Sequence, residues 1–222
     1  MPKAPEPATV DMTTWRLTRI GGASNPVRFA QLDPSDAALW AGGNRFDVVG
    51  GGVLYAADDS QTAFREVLRG FRPTAAALAA PDPGMRPANV IPASWRARKS
   101  IVKFELAKPT QFLDLTHPAT HAVLTAELAA ELAARNIDRV DVSVTMSPDR
   151  TLTRLFSHWA YVQNDARRSP LYGGLAYASR TDGHVCLAVF DSQTVYGRDV
   201  YVIQRDDPDL QEAAQHYGLE IE

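Results

Sequence analysis

The sequence contains one cysteine, Cys186, so the chain cannot form an internal disulfide bond, and a cysteine-based metal site is not expected. Cys186 lies in the apolar run 185–190, which is typical of a small buried side chain. Long apolar runs are also missing, since none approaches the ~20 residues of a membrane-spanning helix. Residues 1–12, MPKAPEPATVDM, lack the apolar segment of a signal peptide. These absences predict a cytoplasmic protein without a membrane contact.

Excess charge of one sign is lacking too. The chain has 23 Lys and Arg against 26 Asp and Glu, for a formal net charge of −3. This balance gives no general electrostatic reason to bind nucleic acid or an anionic membrane, although a local basic pocket is compatible with it. The 222 residues are 45% hydrophobic, which suffices for a sizeable core and one large domain.

The order of periodic segments predicts a disordered arm at residues 1–12 and a single domain over 13–222, with a Pro/Ala-rich loop or insertion at 73–99. Strands are predicted at 14–20, 53–57, 101–106, 112–116, 173–180, 184–190 and 199–204. Helices are predicted at 61–69, 120–135, 149–164 and 208–218.

Several catalytic motifs are missing. The chain has no P-loop, no GxGxxG fingerprint and no GxSxG elbow. No His or Asp near Ser179 forms a nucleophile triad in sequence, and no carboxylate pair of the glycosidase type is evident. His117 and His121 lack a third ligand at metal-binding spacing. No metal site is therefore predicted.

The stretch 42–68, GGNRFDVVGGGVLYAADDSQTAFREVL, holds the main candidate residues. Glycines leave Arg45 uncrowded and its planar fork suits a pyrophosphate, although the same residues fit an ordinary turn. Glu66 lies at the margin of a helical apolar stripe, where it either pairs with a nearby arginine or points into a cleft. We hypothesise that Arg45, Tyr55 and Glu66 line one pocket for a ligand with a phosphate, a flat ring and a sugar. Arg16, in a predicted strand, is either a surface residue or a further phosphate contact.

Three pieces of the sequence together resemble the RES domain family, which is named for an arginine, a glutamate and a serine. They are GGNRF at 42–46, VLYAADDSQTAFREVL at 53–68 and GGLAYASR at 173–180. The resemblance covers roughly residues 14–191, and FLDLT at 112–116 supports it. It implies an α+β fold with mixed, mostly antiparallel sheets and flanking helices, similar to ADP-ribosyltransferase toxins.

The resemblance also implies a function. RES proteins are typically toxins of type II toxin–antitoxin systems that consume NAD⁺ by phosphorolysis or hydrolysis, or transfer ADP-ribose to a protein. For this chain it implies an enzyme that cleaves the nicotinamide–ribose bond of NAD⁺, with a protein antitoxin as partner. Inorganic phosphate is a candidate co-substrate, and no other cofactor is implied. Whether the chain forms a homo-oligomer is left open.

The resemblance assigns catalytic roles to Arg45, Glu66 and Ser179, and NAD⁺ contacts to Arg16, Arg45, Phe46, Tyr55 and Ser179. Cleavage builds positive charge on the ribose, which a carboxylate such as Glu66 stabilises. Nicotinamide leaves as a neutral group, so no strong general acid is needed. Arg45 and Arg16 would hold phosphate groups, Tyr55 would stack on the nicotinamide ring, and Ser179 would orient Glu66.

One residue departs from the family pattern. Asp47 stands where many members have Asn, and a carboxylate beside a phosphate-binding arginine weakens anion binding. Asp47 therefore either points away from the ligand or alters activity. A second interpretation of the chain is a catalytically weak domain that acts mainly by binding a partner. The sequence also leaves the acceptor open among phosphate, water and a protein side chain.

Overall fold

The computed structural model describes residues 5–12, 14–79, 89–107 and 111–222. Its strands are β1 (Thr9–Asp11), β2 (Leu17–Gly22), β3 (Ala30–Gln31), β4 (Gly52–Ala57), β5 (Val90–Ile91), β6 (Lys99–Leu106), β7 (Gln111–Asp114), β8 (Gly174–Ala178), β9 (Val185–Phe190), β10 (Val195–Val202) and β11 (Glu220–Ile221). Its α-helices are α1 (Ser60–Leu68), α2 (Ala75–Ala79), α3 (Ala93–Ala97), α4 (Pro118–Glu127), α5 (Ala129–Ala133), α6 (Val142–Thr145), α7 (Arg150–Val162) and α8 (Pro208–Tyr217). Short 3-10 helices lie at Pro34–Asp36 and Arg69–Phe71.

One large sheet joins strands from both ends of the chain in the order β1-β7-β8-β9-β4-β2-β6-β10, with β3 also pairing with β4. Its β7–β8 pair is parallel, and its other pairs are antiparallel. Strands β5 and β11 form a separate parallel ladder. The expected mixed, mostly antiparallel sheet with flanking helices is therefore confirmed.

Both faces of the sheet are buried at its central strands β8 and β9. Along β9, Cys186, Ala188 and Phe190 pack into one apolar cluster with α1, α4, α7 and α8, whereas Leu187 and Val189 pack into a second cluster. Successive strand residues point to opposite faces, so the two clusters lie on opposite sides of the sheet. The helix-covered face is the one that carries the candidate site.

Two aspartates set the helices next to that site. Asp59 Oδ1 accepts a hydrogen bond from the Thr62 amide at 2.7 Å and caps α1. Asp149 Oδ1 accepts from the Thr151 amide at 2.8 Å and caps α7. These helix starts agree with the predicted ones to within two residues, because short acceptor side chains satisfy the first free amides of a helix.

Several predicted boundaries are wrong. The strand predicted at 199–204, for example, is β10 and begins four residues earlier. Residues 9–11 of the predicted disordered arm form β1, which pairs with β7, because Val10 and Met12 pack into the apolar cluster on the sheet's second face. The predicted helix 120–135 is two helices, α4 and α5, separated at Leu128. Residues 80–88 of the predicted Pro/Ala-rich loop lie outside the described residues. No helix in the described part of the chain is long and apolar enough to cross a membrane.

Candidate active site

A cavity of about 490 Å³ opens on the helix-covered face of the sheet. Its walls come from strands β2, β4, β8 and β9, from α1 and from the first turn of α7. The volume falls in the range of about 300–1,000 Å³ that is usual for small-molecule sites. The cavity therefore has room for a ligand of cofactor size.

The cavity is strongly cationic. A single carboxylate, that of Glu66, lies among the lining residues. The lining cations are Arg19, Arg45, Arg69, Lys99, Arg150 and Arg180. This local excess stands out in a chain whose net charge is −3. Clustered cations in a low-dielectric cleft attract anions, so the electrostatics favour a ligand with several negative charges.

Arg45 is held between two aromatic rings. Its guanidinium carbon lies 4.6 Å from the centre of the Phe46 ring and 4.8 Å from that of Tyr177. Burial lowers the pKa of Arg45, while nearby Tyr177 and Glu66 act in the opposite direction. Its Nε is buried and has no hydrogen-bond acceptor among the described residues. Arg45 is thus a positioned donor group that lacks an acceptor at Nε.

Asp47 braces the loop that carries Arg45. Its carboxylate accepts hydrogen bonds from the Asn44 amide at 2.6 Å and from the Tyr55 hydroxyl at 2.8 Å. Gly43 has a φ of +58°, and a Cβ there would lie 2.7 Å from Asp47 Oδ2. Only glycine permits this close approach without strain. Asp47 is 2% exposed and does not line the cavity. Its carboxylate therefore points towards the loop backbone and Tyr55, which answers the question raised by the sequence.

Helix α7 holds the same loop through backbone carbonyls. The Arg150 guanidinium donates to the carbonyl oxygens of Ala41, at 2.6 Å, and Gly43. Thr153 Oγ1 donates to the Arg45 carbonyl at 2.5 Å. These contacts fix the backbone on both sides of Arg45, which preorganises the cationic group before any ligand binds.

Ser179 fixes the one carboxylate of the cavity. Its Oγ donates to Glu66 Oε1 at 2.7 Å and also lies 2.7 Å from Thr181 Oγ1. Ser179 is 2% exposed, so this bond is shielded from water. Arg180, the next residue, lines the cavity, and its pKa is lowered to about 10 by burial and then by the neighbouring cations Arg45 and Arg69. The end of β8 thus supplies both an orienting hydroxyl and a cation.

A comparison with models of protein families shows which family the chain belongs to. Residues 14–211 match the RES domain model. The chain belongs to the RES domain family. No curated protein sequence matches it significantly. Among solved structures, a chain of the M. tuberculosis MbcT–MbcA toxin–antitoxin complex is similar at 16% identity and a TM-score of 0.42, over 95% of this chain and 91% of that one.

The structure brings three predicted residues of the RES domain into the lining of one cavity, namely Arg45, Tyr55 and Glu66. Ser179 lies behind Glu66 and contacts it without lining the cavity. Phe46 is fully buried, and its ring supports Arg45 from the protein side. The predicted ligand contact of Phe46 is thus replaced by a packing contact.

Arg16 lies on the surface, which was one of its two predicted positions, and not at the NAD⁺ contact that the resemblance implies. It forms an exposed ion pair with Asp199 on β10 and does not line the cavity. The N-terminal arginine in the cavity wall is Arg19, whose Nη1 donates to the Tyr55 carbonyl at 2.6 Å. The two arginines lie three positions apart, and Arg16 precedes β2 whereas Arg19 lies within it.

Other lining residues were not singled out from the sequence. They are Trp40, Arg69, Lys99, Arg150 and Arg180. A signal existed for Arg180, which directly follows Ser179 in GGLAYASR. Arg150 is the first residue of α7 and gave no comparable signal. Its role depends on contacts more than 100 positions away in the chain.

One group of side chains in the described ranges has metal-binding spacing. Ligand atoms of Asp58, Asp59 and His184 lie within 4.8 Å of one another. Asp59 already caps α1 and contacts His184 Nδ1 at 3.1 Å. Helix capping and this contact account for Asp59 and His184, and the group lies outside the cavity wall.

Proposed function

We propose that this RES domain binds NAD⁺ in the cationic cavity and cleaves its nicotinamide–ribose bond. The observation that carries the proposal is the position of Glu66, a single carboxylate oriented by Ser179 within a wall of cations. The cations match the anionic pyrophosphate of NAD⁺, and the carboxylate matches the positive charge that develops on its ribose.

The bond that breaks joins ribose C1′ to the nicotinamide nitrogen, and its electron pair leaves with the nitrogen. An oxygen nucleophile then forms a new bond to C1′, and water as nucleophile also loses a proton. Glu66 stabilises the oxocarbenium-like transition state, and the Ser179 hydrogen bond holds the carboxylate in one orientation. Ser179 contacts Glu66 and is assigned a positioning role.

The phosphate groups are assigned to the arginines. Arg45 is fixed by two aromatic rings and offers a planar fork suited to phosphate oxygens. Arg150 and Arg180 also line the cavity and add positive charge. Tyr55 lines the cavity while Asp47 holds its hydroxyl, so its ring has a fixed orientation for contact with nicotinamide.

The chemistry needs neither a strong general acid nor a nucleophilic side chain of the enzyme itself. Nicotinamide leaves as a neutral molecule, so it requires no proton. Cys186 lines the cavity, but burial raises the pKa of its thiol, and a protonated thiol is a poor nucleophile. We therefore assign no catalytic role to Cys186.

Membership of the RES domain family supports a biological role as the toxin of a toxin–antitoxin pair. In that role the enzyme would deplete NAD⁺ until a protein antitoxin neutralises it. The acceptor remains a choice among phosphate, water and a protein side chain. Asp47 gives no reason to expect a weakened site, since its carboxylate is used within the loop.

The test is product analysis of NAD⁺ reactions by mass spectrometry, with and without phosphate. A phosphorylated ADP-ribose product indicates phosphorolysis, ADP-ribose indicates hydrolysis, and a mass increase of a protein indicates transferase activity. Glu66→Gln should lower kcat about 100-fold or more while the protein stays folded. Ser179→Ala should lower kcat about 10-fold, because one hydrogen bond to a charged group is lost.

Glu212→Gln is a matched control, because it removes an exposed carboxylate that contacts Arg65 on the other side of α1. It should leave NAD⁺ consumption unchanged. Intact NAD⁺ after long incubation with the wild-type protein, or equal activity of the wild type and Glu66→Gln, would refute the proposal.

A further inference from the structure

Trp40 is an exposed aromatic residue at the mouth of the cavity. It is 58% exposed, yet it belongs to the cavity wall. The described residues show no ring contact for it. An exposed indole ring in the wall of a cavity is available for contact with a bound ligand.

The loop that presents Trp40 is held firmly. The Arg150 amide donates to the Trp40 carbonyl at 3.2 Å, and Arg154 Nη2 donates to the Leu39 carbonyl at 2.9 Å. Arg154 is 6% exposed, so its bond is shielded from water. A ring on a fixed backbone loses little conformational entropy when it contacts a ligand, which favours binding.

We propose that Trp40 forms a stacking subsite for a purine base at the mouth of the cavity. The Arg150 amide donates to the Trp40 carbonyl, and the Arg150 guanidinium, which lines the cavity, donates to the adjacent Ala41 carbonyl. A cation therefore lies next to the backbone that carries the ring. An aromatic ring next to a phosphate-binding cation is the pattern that recognises nucleotides, since bases stack on aromatic side chains. The assignment of this base to the adenine of NAD⁺ rests on the proposed function.

Leu39 distinguishes a nucleotide subsite at Trp40 from a surface that docks a partner protein. It is 53% exposed and adjacent to Trp40, but it does not line the cavity. A partner protein that covers this loop would contact both side chains, whereas a nucleotide in the cavity would contact Trp40. The pairing with cavity cations therefore favours the nucleotide.

The experiment measures the binding of AMP and of inorganic pyrophosphate by isothermal titration calorimetry. Trp40→Ala should weaken AMP binding about 10-fold, because the stacking of the base on the indole ring is lost. It should change pyrophosphate binding less than about twofold, since pyrophosphate has no ring to stack. Trp40→Phe should restore most of the AMP affinity, and Leu39→Ala should match the wild type.

Three outcomes would overturn the subsite: no AMP binding by the wild type, equal losses for AMP and pyrophosphate in Trp40→Ala, or equal losses of AMP binding in Trp40→Ala and Leu39→Ala. The second outcome would mean that Trp40 only shapes the loop. If the wild type consumes no NAD⁺ but the AMP differences appear, the subsite stands and the proposed reaction alone fails.

Discussion

Arg65 and Glu66 are neighbouring charged residues on α1. Carboxylates lie next to Arg65, whereas cations surround Glu66. Arg65 lies 3.2 Å from both Asp182 and Glu212, so its charge is balanced by carboxylates. Glu66 lies in the cavity wall, where cations outnumber it and Ser179 donates its hydrogen bond at 2.7 Å. One side of the helix is thus neutralised within the protein, and the other keeps an excess of positive charge.

This difference separates stability from function. A paired, partly buried charge holds elements together, and loss of one partner leaves the other without compensation. A buried charge without a carboxylate partner disfavours folding, as the lowered pKa values of Arg45 and Arg180 indicate. Substitutions on the Arg65 side should therefore affect stability, and substitutions in the cavity should affect ligand binding and turnover.

The largest effect is expected at Arg45. Arg45→Met should lower kcat/KM for NAD⁺ about 100-fold or more, because a preorganised charged donor is lost. Its thermal unfolding midpoint should not fall, since the substitution removes a cation whose burial is unfavourable. Steady-state kinetics and circular dichroism measure the two quantities. Arg45→Lys, which keeps the charge without the planar fork, should have intermediate activity. Retained activity with a clear loss of stability would contradict this prediction. It would show that Arg45, like Arg65, mainly stabilises the fold.

Arg65→Met is the reciprocal change. It leaves Asp182 without its cation, and we expect the free energy of unfolding to fall by about 1–3 kcal/mol. Chemical denaturation measures this change. Turnover of NAD⁺ should fall by less than in Arg45→Met, because Arg65 does not line the cavity and acts on Glu66 through Asp182 and Ser179. A large loss of kcat with unchanged stability would show that the two sides of α1 are coupled.

The sequence predicted the elements that depend on local patterns. The helices after Asp59 and Asp149 begin within two residues of their predicted starts, because each aspartate caps amides of the turn that follows it. The cavity residues Arg45, Tyr55 and Glu66 were found because they lie in one continuous stretch, 42–68.

Other features depend on distant partners. Arg19, and not Arg16, lies in the cavity wall because the sheet places Arg19 next to Tyr55. Strand β1 forms because it pairs with the edge of β7. Helix α7 holds the loop around Arg45 through hydrogen bonds to backbone carbonyls. Every residue has such a carbonyl, so these contacts leave no signal in the sequence. Sequence patterns therefore located the chemical groups but not the contacts that hold them in place.

The smallest expected effect concerns Arg180. Burial and the neighbouring cations lower its pKa to about 10, so its charged form is poorly compensated in the free protein. A bound anion supplies a compensating charge, so Arg180 should contribute to pyrophosphate affinity.

Arg180→Gln isolates this contribution, because Lys99 and the other lining cations are common to both proteins. At about pH 8 the variant should bind pyrophosphate several-fold more weakly than the wild type, by on the order of 3- to 10-fold. The ratio of the two dissociation constants should fall as the ionic strength rises, since salt screens the attraction between Arg180 and the anion. Equal affinities at low salt would mean that Arg180 contacts no anion, or that its charge is as well compensated as that of Arg65.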